Sequence, residues 1–422
     1  MLYTTLILVF SSIYSLNTVL FPLERQNYNL KNETDFFNYI TRPLISKIKL
    51  GVPKQEIELT IQFKENPFFL KSYFSNGKYN ENKSSTFEKT SDEFEFIRET
   101  LFTDGFTSTE KFYFKDFNNN DYTIEEFNFV LATKFNSQTS KPFDACLGLT
   151  LLNKNQDMHF NFIYELKYLK KINSTIFSIS YLNNKNGDLI IGNLPNEYNH
   201  KFKYENYITT PAESDEKSIQ WKSLFDSFKL NDKIVYNKSL GVFDLNYEGF
   251  RFGETIMKSF NDMFFNQFYK DNKCVQYKNS NKNILNIVCD ENISLKNFPK
   301  IYFEHKIFNY TFEFNSDELF IKINKKLYFL ILFHTYNNEF ILGEIFFKKY
   351  QMVFDQDNKL IGFYGKIEQN NSHLFYKIIF LIFMIIIVGI LLFLLYKYII
   401  LKPRKKRVYE LEDNFDYIPT KI

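Results

Sequence analysis

Leu50-Gly51-Val52-Pro53-Lys54-Gln55-Glu56-Ile57-Glu58-Leu59-Thr60-Ile61-Gln62-Phe63-Lys64 is the stretch on which the reading of this chain turns. Gly51 and Pro53 mark a turn. After it Ile57, Leu59 and Ile61 alternate with Glu56, Glu58 and Thr60, the period of a half-buried strand. The strand runs out on the triplet Gln62-Phe63-Lys64.

The same pattern continues outward. Ile45 to Leu50, Phe177 to Leu182, Asp188 to Ile191 and Gln351 to Phe354 read as further short strands. Turn residues separate them, as in Asn183-Asn184-Lys185-Asn186-Gly187 and Asp355-Gln356-Asp357-Asn358-Lys359. Phe160 to Leu169 and Ile256 to Phe268 carry apolar residues at helical spacing. Residues 40 to 368 therefore read as a predominantly β ectodomain. A faint internal echo runs through it: Phe143-Asp144-Ala145-Cys146-Leu147-Gly148-Leu149 and Phe340-Ile341-Leu342-Gly343-Glu344-Ile345 both set Leu-Gly after an apolar strand, as two duplicated lobes would.

Composition bounds the function classes. With 422 residues, 45% apolar and 24% charged, the chain is ordinary globular material and long enough for two lobes. A net charge of only +3, spread along the chain, gives no reason to expect nucleic acid. The 19% aromatic content, mostly Phe, reads as compositional drift and not as a binding surface.

Two apolar segments suggest topology. Residues 1–15, with the run Leu2 to Ile13, read as a signal peptide. Ile378 to Tyr396 is uncharged and long enough to span a bilayer, within a transmembrane helix placed at 377–400. Lys402, Arg404, Lys405, Lys406 and Arg407 follow and mark the cytoplasmic side. The expectation is a type I membrane protein: lobes at 40–205 and 206–368 on the lumenal or extracellular side, in the secretory pathway or at the cell surface, and a cytoplasmic tail at 401–422 whose Glu410, Glu412, Asp413 and Asp416 flank Tyr409 and Tyr417. Asn32, Asn82, Asn173, Asn237, Asn292, Asn309 and Asn370 open glycosylation sequons, and none lies beyond the span.

Three cysteines are present. Cys274 and Cys289, fifteen residues apart, are placed to form a disulfide in an oxidising compartment. Cys146, in an apolar run, reads as a buried inert thiol. The five histidines, His159, His200, His305, His334 and His373, show no metal-ligand spacing, and no Gly-x-Ser-x-Gly elbow or phosphate loop is present. No cofactor is expected.

Residues 50–64 resemble the opening of a pepsin-like aspartic protease, in which an Ile-Gly-x-Pro-x-Gln turn leads into a strand ending in Asp-Thr-Gly. The likeness extends through Ser84-Ser85-Thr86-Phe87, Phe143 to Leu149, Phe177 to Leu182 with Gly187 to Gly192, Trp221 at the opening of the second lobe, Cys274 and Cys289, Phe298 to Phe303, and Ile341 to Gly362. It covers residues 40 to 366. It implies a bilobal, all-β pepsin-like fold, and the membrane-anchored layout resembles the beta-secretase type.

The chemistry implied by the resemblance is broken at its centre. The family uses two facing carboxylates that share a proton: one takes a proton from the attacking water, the other polarises the scissile carbonyl. Gln62 stands at the first of these positions and cannot accept that proton. Phe63 and Lys64 replace the Thr and Gly of the loop. Asp244, in Gly241-Val242-Phe243-Asp244-Leu245-Asn246, occupies the second position as a retained half-dyad, with Leu245 and Asn246 in place of its Thr and Gly. Arg98, in Phe96-Ile97-Arg98-Glu99-Thr100, matches the flap tyrosine.

The resulting expectation is a pseudoprotease that holds an extended peptide or protein in the interlobe cleft by backbone pairing and apolar pockets. Phe68 and Phe69 are candidate walls of that cleft, with core packing the competing role. An active aspartic endopeptidase is the first alternative and needs a second carboxylate facing Asp244. A surface adhesion or structural protein is the second, favoured if Phe63, Lys64 and Arg98 plug the cleft.

Overall fold

The computed structural model describes residues 18–30, 32–64, 68–98, 101–115, 120–137, 144–152, 160–181, 187–199, 202–213, 220–279, 283–334, 340–364 and 372–398. The expected signal peptide and cytoplasmic tail lie outside these residues. The chain divides into two compact units, residues 1–366 and 367–422.

The first unit is built on two large sheets. Among the described residues one has thirteen strands and the other eleven. The strand read at 56–61 is Gln55–Gln62, and those read at 45–50, 177–182, 188–191 and 351–354 are Leu44–Leu50, Ile176–Ser180, Gly187–Ile191 and Met352–Asp355. The turn before Gln55–Gln62 is closed by Gly51, whose φ of +79° favours glycine, and an added Cβ would meet Ser84 Oγ at 2.8 Å. The helical pattern at 160–169 is a helix over Phe162–Tyr168, started by Asn161, whose side chain accepts from the backbone N–H groups of Ile163 and Tyr164. That at 256–268 is two helical turns, Glu254–Phe260 and Asn266–Lys270, joined by a π-helical turn.

The echo seen in the sequence is a repeated topology. In the first sheet Gln55–Gln62 runs parallel to Ala145–Gly148, which is antiparallel to Phe69–Lys71, which is parallel to Asp121–Ser137. In the second, Lys233–Phe243 runs parallel to Phe340–Leu342, which is antiparallel to Phe250–Gly253, which is parallel to Ile331–His334. The fold is therefore bilobal, and Gln62 and Asp244 close equivalent strands.

A run of six antiparallel strands joins the halves. It is ordered Tyr207–Pro211, Leu360–Tyr364, Met352–Asp355, Ile176–Ser180, Gly187–Ile191 and Val19–Arg25. Val19–Arg25 is a strand that the sequence reading did not include. In the second half Cys274 and Cys289 face each other across a hairpin and are disulfide-bonded. Cys146 is buried and unbridged against Phe69, Val130 and Ala132.

Phenylalanine carries the core. Phe68 packs on Phe112, Phe127 and Phe162, and Phe69 is fully buried. Neither lines a cleft: the consecutive pair points to opposite sides, Phe68 into the main core and Phe69 against Val130, Ala132 and Cys146, and packing is the role of both. The second unit contains the helix Ser372–Tyr396, whose 18-residue stretch Ile379–Tyr396 is apolar and long enough to cross a membrane.

Candidate functional site

Gln62 and Asp244 are delivered by the paired strand ends. The Gln62 carbonyl accepts from Leu149 N–H at 2.8 Å, and Asp244 N–H donates to the Leu342 carbonyl at 3.1 Å. The loop after Asp244 is held from below: Glu344 N–H donates to the Tyr247 carbonyl at 2.8 Å and Ile345 N–H to the Glu248 carbonyl at 2.9 Å. Gly343 permits that approach, since a Cβ there would lie 2.0 Å from the Gly249 carbonyl oxygen.

The two positions meet, but not as a pair of acids. Asn246 Nδ2 donates to Gln62 Oε1 at 2.7 Å, so an amide–amide contact joins the lobes. Asp244 Oδ1 accepts from Asn246 N–H at 3.0 Å, and Asp244 Oδ2 lies 3.0 Å from Lys64 Nζ. The Asp244 side chain is 1% exposed and that of Lys64 35%. The Asp244 charge raises the Lys64 ammonium above its ordinary value, outweighing partial burial. Both oxygens of the surviving carboxylate are thus engaged, one by a backbone amide and one by a cation.

Phe63 is buried and meets Phe177, Phe347 and Phe354 at centroid distances of 5.8, 5.7 and 5.4 Å. It belongs to the floor of the molecule and does not plug a cleft. Trp221, fully buried, donates Nε1–H to the Leu149 carbonyl at 2.7 Å and packs at a tilt against Phe354.

A buried ionic network supports the Asp244 loop. Arg25 Nη2 donates to the Leu245 carbonyl at 3.0 Å, while the same guanidinium pairs with Glu344 and donates to the Arg42 carbonyl. Glu344 also holds Lys348 at 3.2 Å. Burial pushes the Glu344 carboxyl up, but Arg25 and Lys348 together hold it below its ordinary value. Arg42 pairs with Glu248 at 3.0 Å. Sequence reasoning missed Arg25, because its strand was not expected, and missed the Lys64–Asp244 pair, although it marked Lys64 as a cation in a glycine position.

Arg98 ends the strand Glu88–Arg98, at the tip of the hairpin formed with Leu101–Lys115. Its side chain lies outside the described residues. Asn32, Asn82, Asn173, Asn237, Asn292 and Asn309 are all exposed, and Asn370 lies outside the described residues.

The family model for eukaryotic aspartyl protease matches residues 45–365. The chain belongs to that family. Among solved structures it is similar to basic 7S globulin from soybean, with 13% identity, a TM-score of 0.62, and 85% of this chain and 97% of that one covered. It is likewise similar to conglutin gamma, a basic 7S globulin from lupine seeds, with 14% identity, a TM-score of 0.62, and 83% and 95% covered. At such identities the likeness is one of fold. No curated protein sequence matches it. The site holds one carboxylate, one ammonium and two carboxamides, where aspartic proteolysis requires two carboxylates and a water between them.

Proposed function

We propose that the chain is a non-catalytic, membrane-anchored member of the aspartyl protease family whose interlobe cleft holds an extended peptide or protein segment. The observation that carries this reading is the Lys64–Asp244 ion pair across from Gln62. An attacking water needs a carboxylate oxygen to take its proton. Here Asp244 Oδ1 and Oδ2 are committed to Asn246 and Lys64, and a carboxamide cannot serve. Burial of Phe63 in the core favours an unplugged cleft, and with it peptide binding over a purely structural role.

The orientation belongs to the same proposal. A signal peptide at 1–15, lobes at 40–205 and 206–368, a span at 377–400 and a cytoplasmic tail at 401–422 place the lobes on the lumenal or extracellular side. The exposure of six sequon asparagines is in keeping with it.

The test is cleavage of a broad peptide library by the purified full chain from about pH 3 to 7, with a pepstatin-type inhibitor and an Asp244→Ala variant alongside. No cleavage by a folded sample is the expected result. Inhibitor-sensitive cleavage that vanishes in Asp244→Ala would overturn the proposal and return the chain to the active endopeptidases.

A further inference from the structure

Resting on that reading, the geometry points to a carboxylate-binding point at Arg251, so that the segment held in the cleft is an acidic peptide. Arg251 lies on Phe250–Gly253, directly after the Asp244 loop. Its neighbours Phe250 and Phe252 are fully buried, and strand alternation turns Arg251 to the opposite face. There its Nη1 donates to the Tyr247 hydroxyl at 3.0 Å and its Cζ lies 5.3 Å from the Tyr247 ring centre. Lys64 Nζ lies 6.0 Å from the same ring centre. Tyr247 thus carries two cations, within the residues that replace the acid dyad.

Only one of the two is neutralised. Lys64 faces Asp244, as Arg25 faces Glu344 and Arg42 faces Glu248. Among the described residues Arg251 makes no ion pair, and its buried Nε has no hydrogen-bond partner. His334, opposite Gly253 on the next strand, adds no compensating charge: burial first, and the charge of Arg251 second, hold its imidazole below the ordinary value. Lys64, Asp244 and Arg251 together leave one net positive charge where an active relative carries negative charge.

The unused edge of the guanidinium identifies the ligand. With Nη1 occupied by Tyr247, Nε and Nη2 remain as a parallel pair of N–H donors. A carboxylate matches that fork with two acceptor oxygens and supplies the missing charge. A basic or apolar side chain would leave the buried donor unsatisfied, and a carboxamide offers one acceptor oxygen and no charge.

The experiment titrates the full chain, in lipid nanodiscs, with short fluorescent peptides blocked at both ends. Each is uncharged except for a central Glu, Gln or Lys; a fourth carries Gln with a free C-terminus, to separate a side-chain from a terminal carboxylate. The expected result is that the Glu peptide binds about tenfold more tightly than the Gln peptide, with an advantage that shrinks as salt rises. Arg251→Gln should bring the two within about twofold of each other; Arg251→Lys, which keeps the charge and loses the fork, should retain part of the advantage. Preference for the free-terminus Gln peptide over the blocked Glu peptide would keep the carboxylate site and reassign it to a chain end. Equal binding of Glu and Gln peptides to the native chain, or an advantage that survives Arg251→Gln, overturns the carboxylate site and leaves peptide binding standing. Binding of none of the peptides overturns both.

Discussion

Lys64 determines what Asp244 is free to do. Removing either partner has unequal consequences. Asp244→Asn keeps a side-chain acceptor for Asn246 N–H and lets the partly exposed ammonium turn to solvent, so it should cost under about 1 kcal/mol. Lys64→Met leaves a carboxylate at 1% exposure without a cation and should cost about 1–2 kcal/mol, less than a wholly buried pair because Lys64 reaches water. Urea unfolding of the two variants checks the order; equal losses would mean that the pair is incidental. Phe63→Thr, which restores the residue found in active relatives, should cost about 3–5 kcal/mol by opening a hole between Phe177, Phe347 and Phe354. At Phe63 the loop after Gln62 is drawn into the core.

At the scale of elements, His305 makes the second sheet acid-sensitive. It ends Ile301–His305, 2% exposed, with Nε2 2.8 Å from Ser223 Oγ and Nδ1 accepting from Phe308 N–H at 3.2 Å. Nδ1 must be unprotonated to accept, so Nε2–H donates to the serine; this tautomer cannot activate Ser223 as a nucleophile. Burial is the main cause that lowers the imidazole from 6.5 to about 4. Above about pH 6.5 neither folded nor unfolded chain binds the proton; between 6.5 and about 4 only the unfolded chain does. Stability is therefore full at neutral pH and falls by about 3 kcal/mol as pH drops to 4, at 1.36 kcal/mol per unit. Comparing unfolding free energies of the native chain and His305→Leu across that window checks it: the variant should start less stable and lose less. A parallel decline in both would remove His305 as the cause.

The strands were legible because turn chemistry and alternation are local. Gly51 and Pro53 announce Gln55–Gln62, and even the echo of two Leu-Gly blocks reported a real duplication. What joins distant elements was not legible. No spacing connects Lys64 to Asp244, 180 residues on, and nothing in Phe250-Arg251-Phe252 says which charges the arginine will face once its strand lies beside Phe340–Leu342. Phe68 and Phe69 were ambiguous for the same reason: a strand's apolar face is visible in sequence, but what covers it is not.

For the whole molecule, the single tryptophan is a ready reporter. Trp221 is fully buried among residues of both halves, beside Phe177 and Phe354. Its emission should be blue-shifted in the folded chain and move to the red in one cooperative step with urea; a separate early transition would show that the halves part before they melt. Orientation is open to an equally direct check. Expressed through a eukaryotic secretory route, the chain should lose mass on treatment with an N-glycosidase, by an amount that falls as exposed asparagines such as Asn173 and Asn237 are replaced by Gln. An unchanged mass would count against the proposed orientation.

The repeated topology has a last consequence. Two equivalent strand ends meet across the middle of the molecule, and in a working protease they present like to like, two acids whose repulsion must be relieved by a shared proton. Here one half offers an ammonium and an amide, and the other a carboxylate and an amide, with Arg25 tying the first sheet to Leu245 beneath them. The symmetry axis has become a seam stitched by opposite charges. A molecule sewn along its midline has little freedom to gape there.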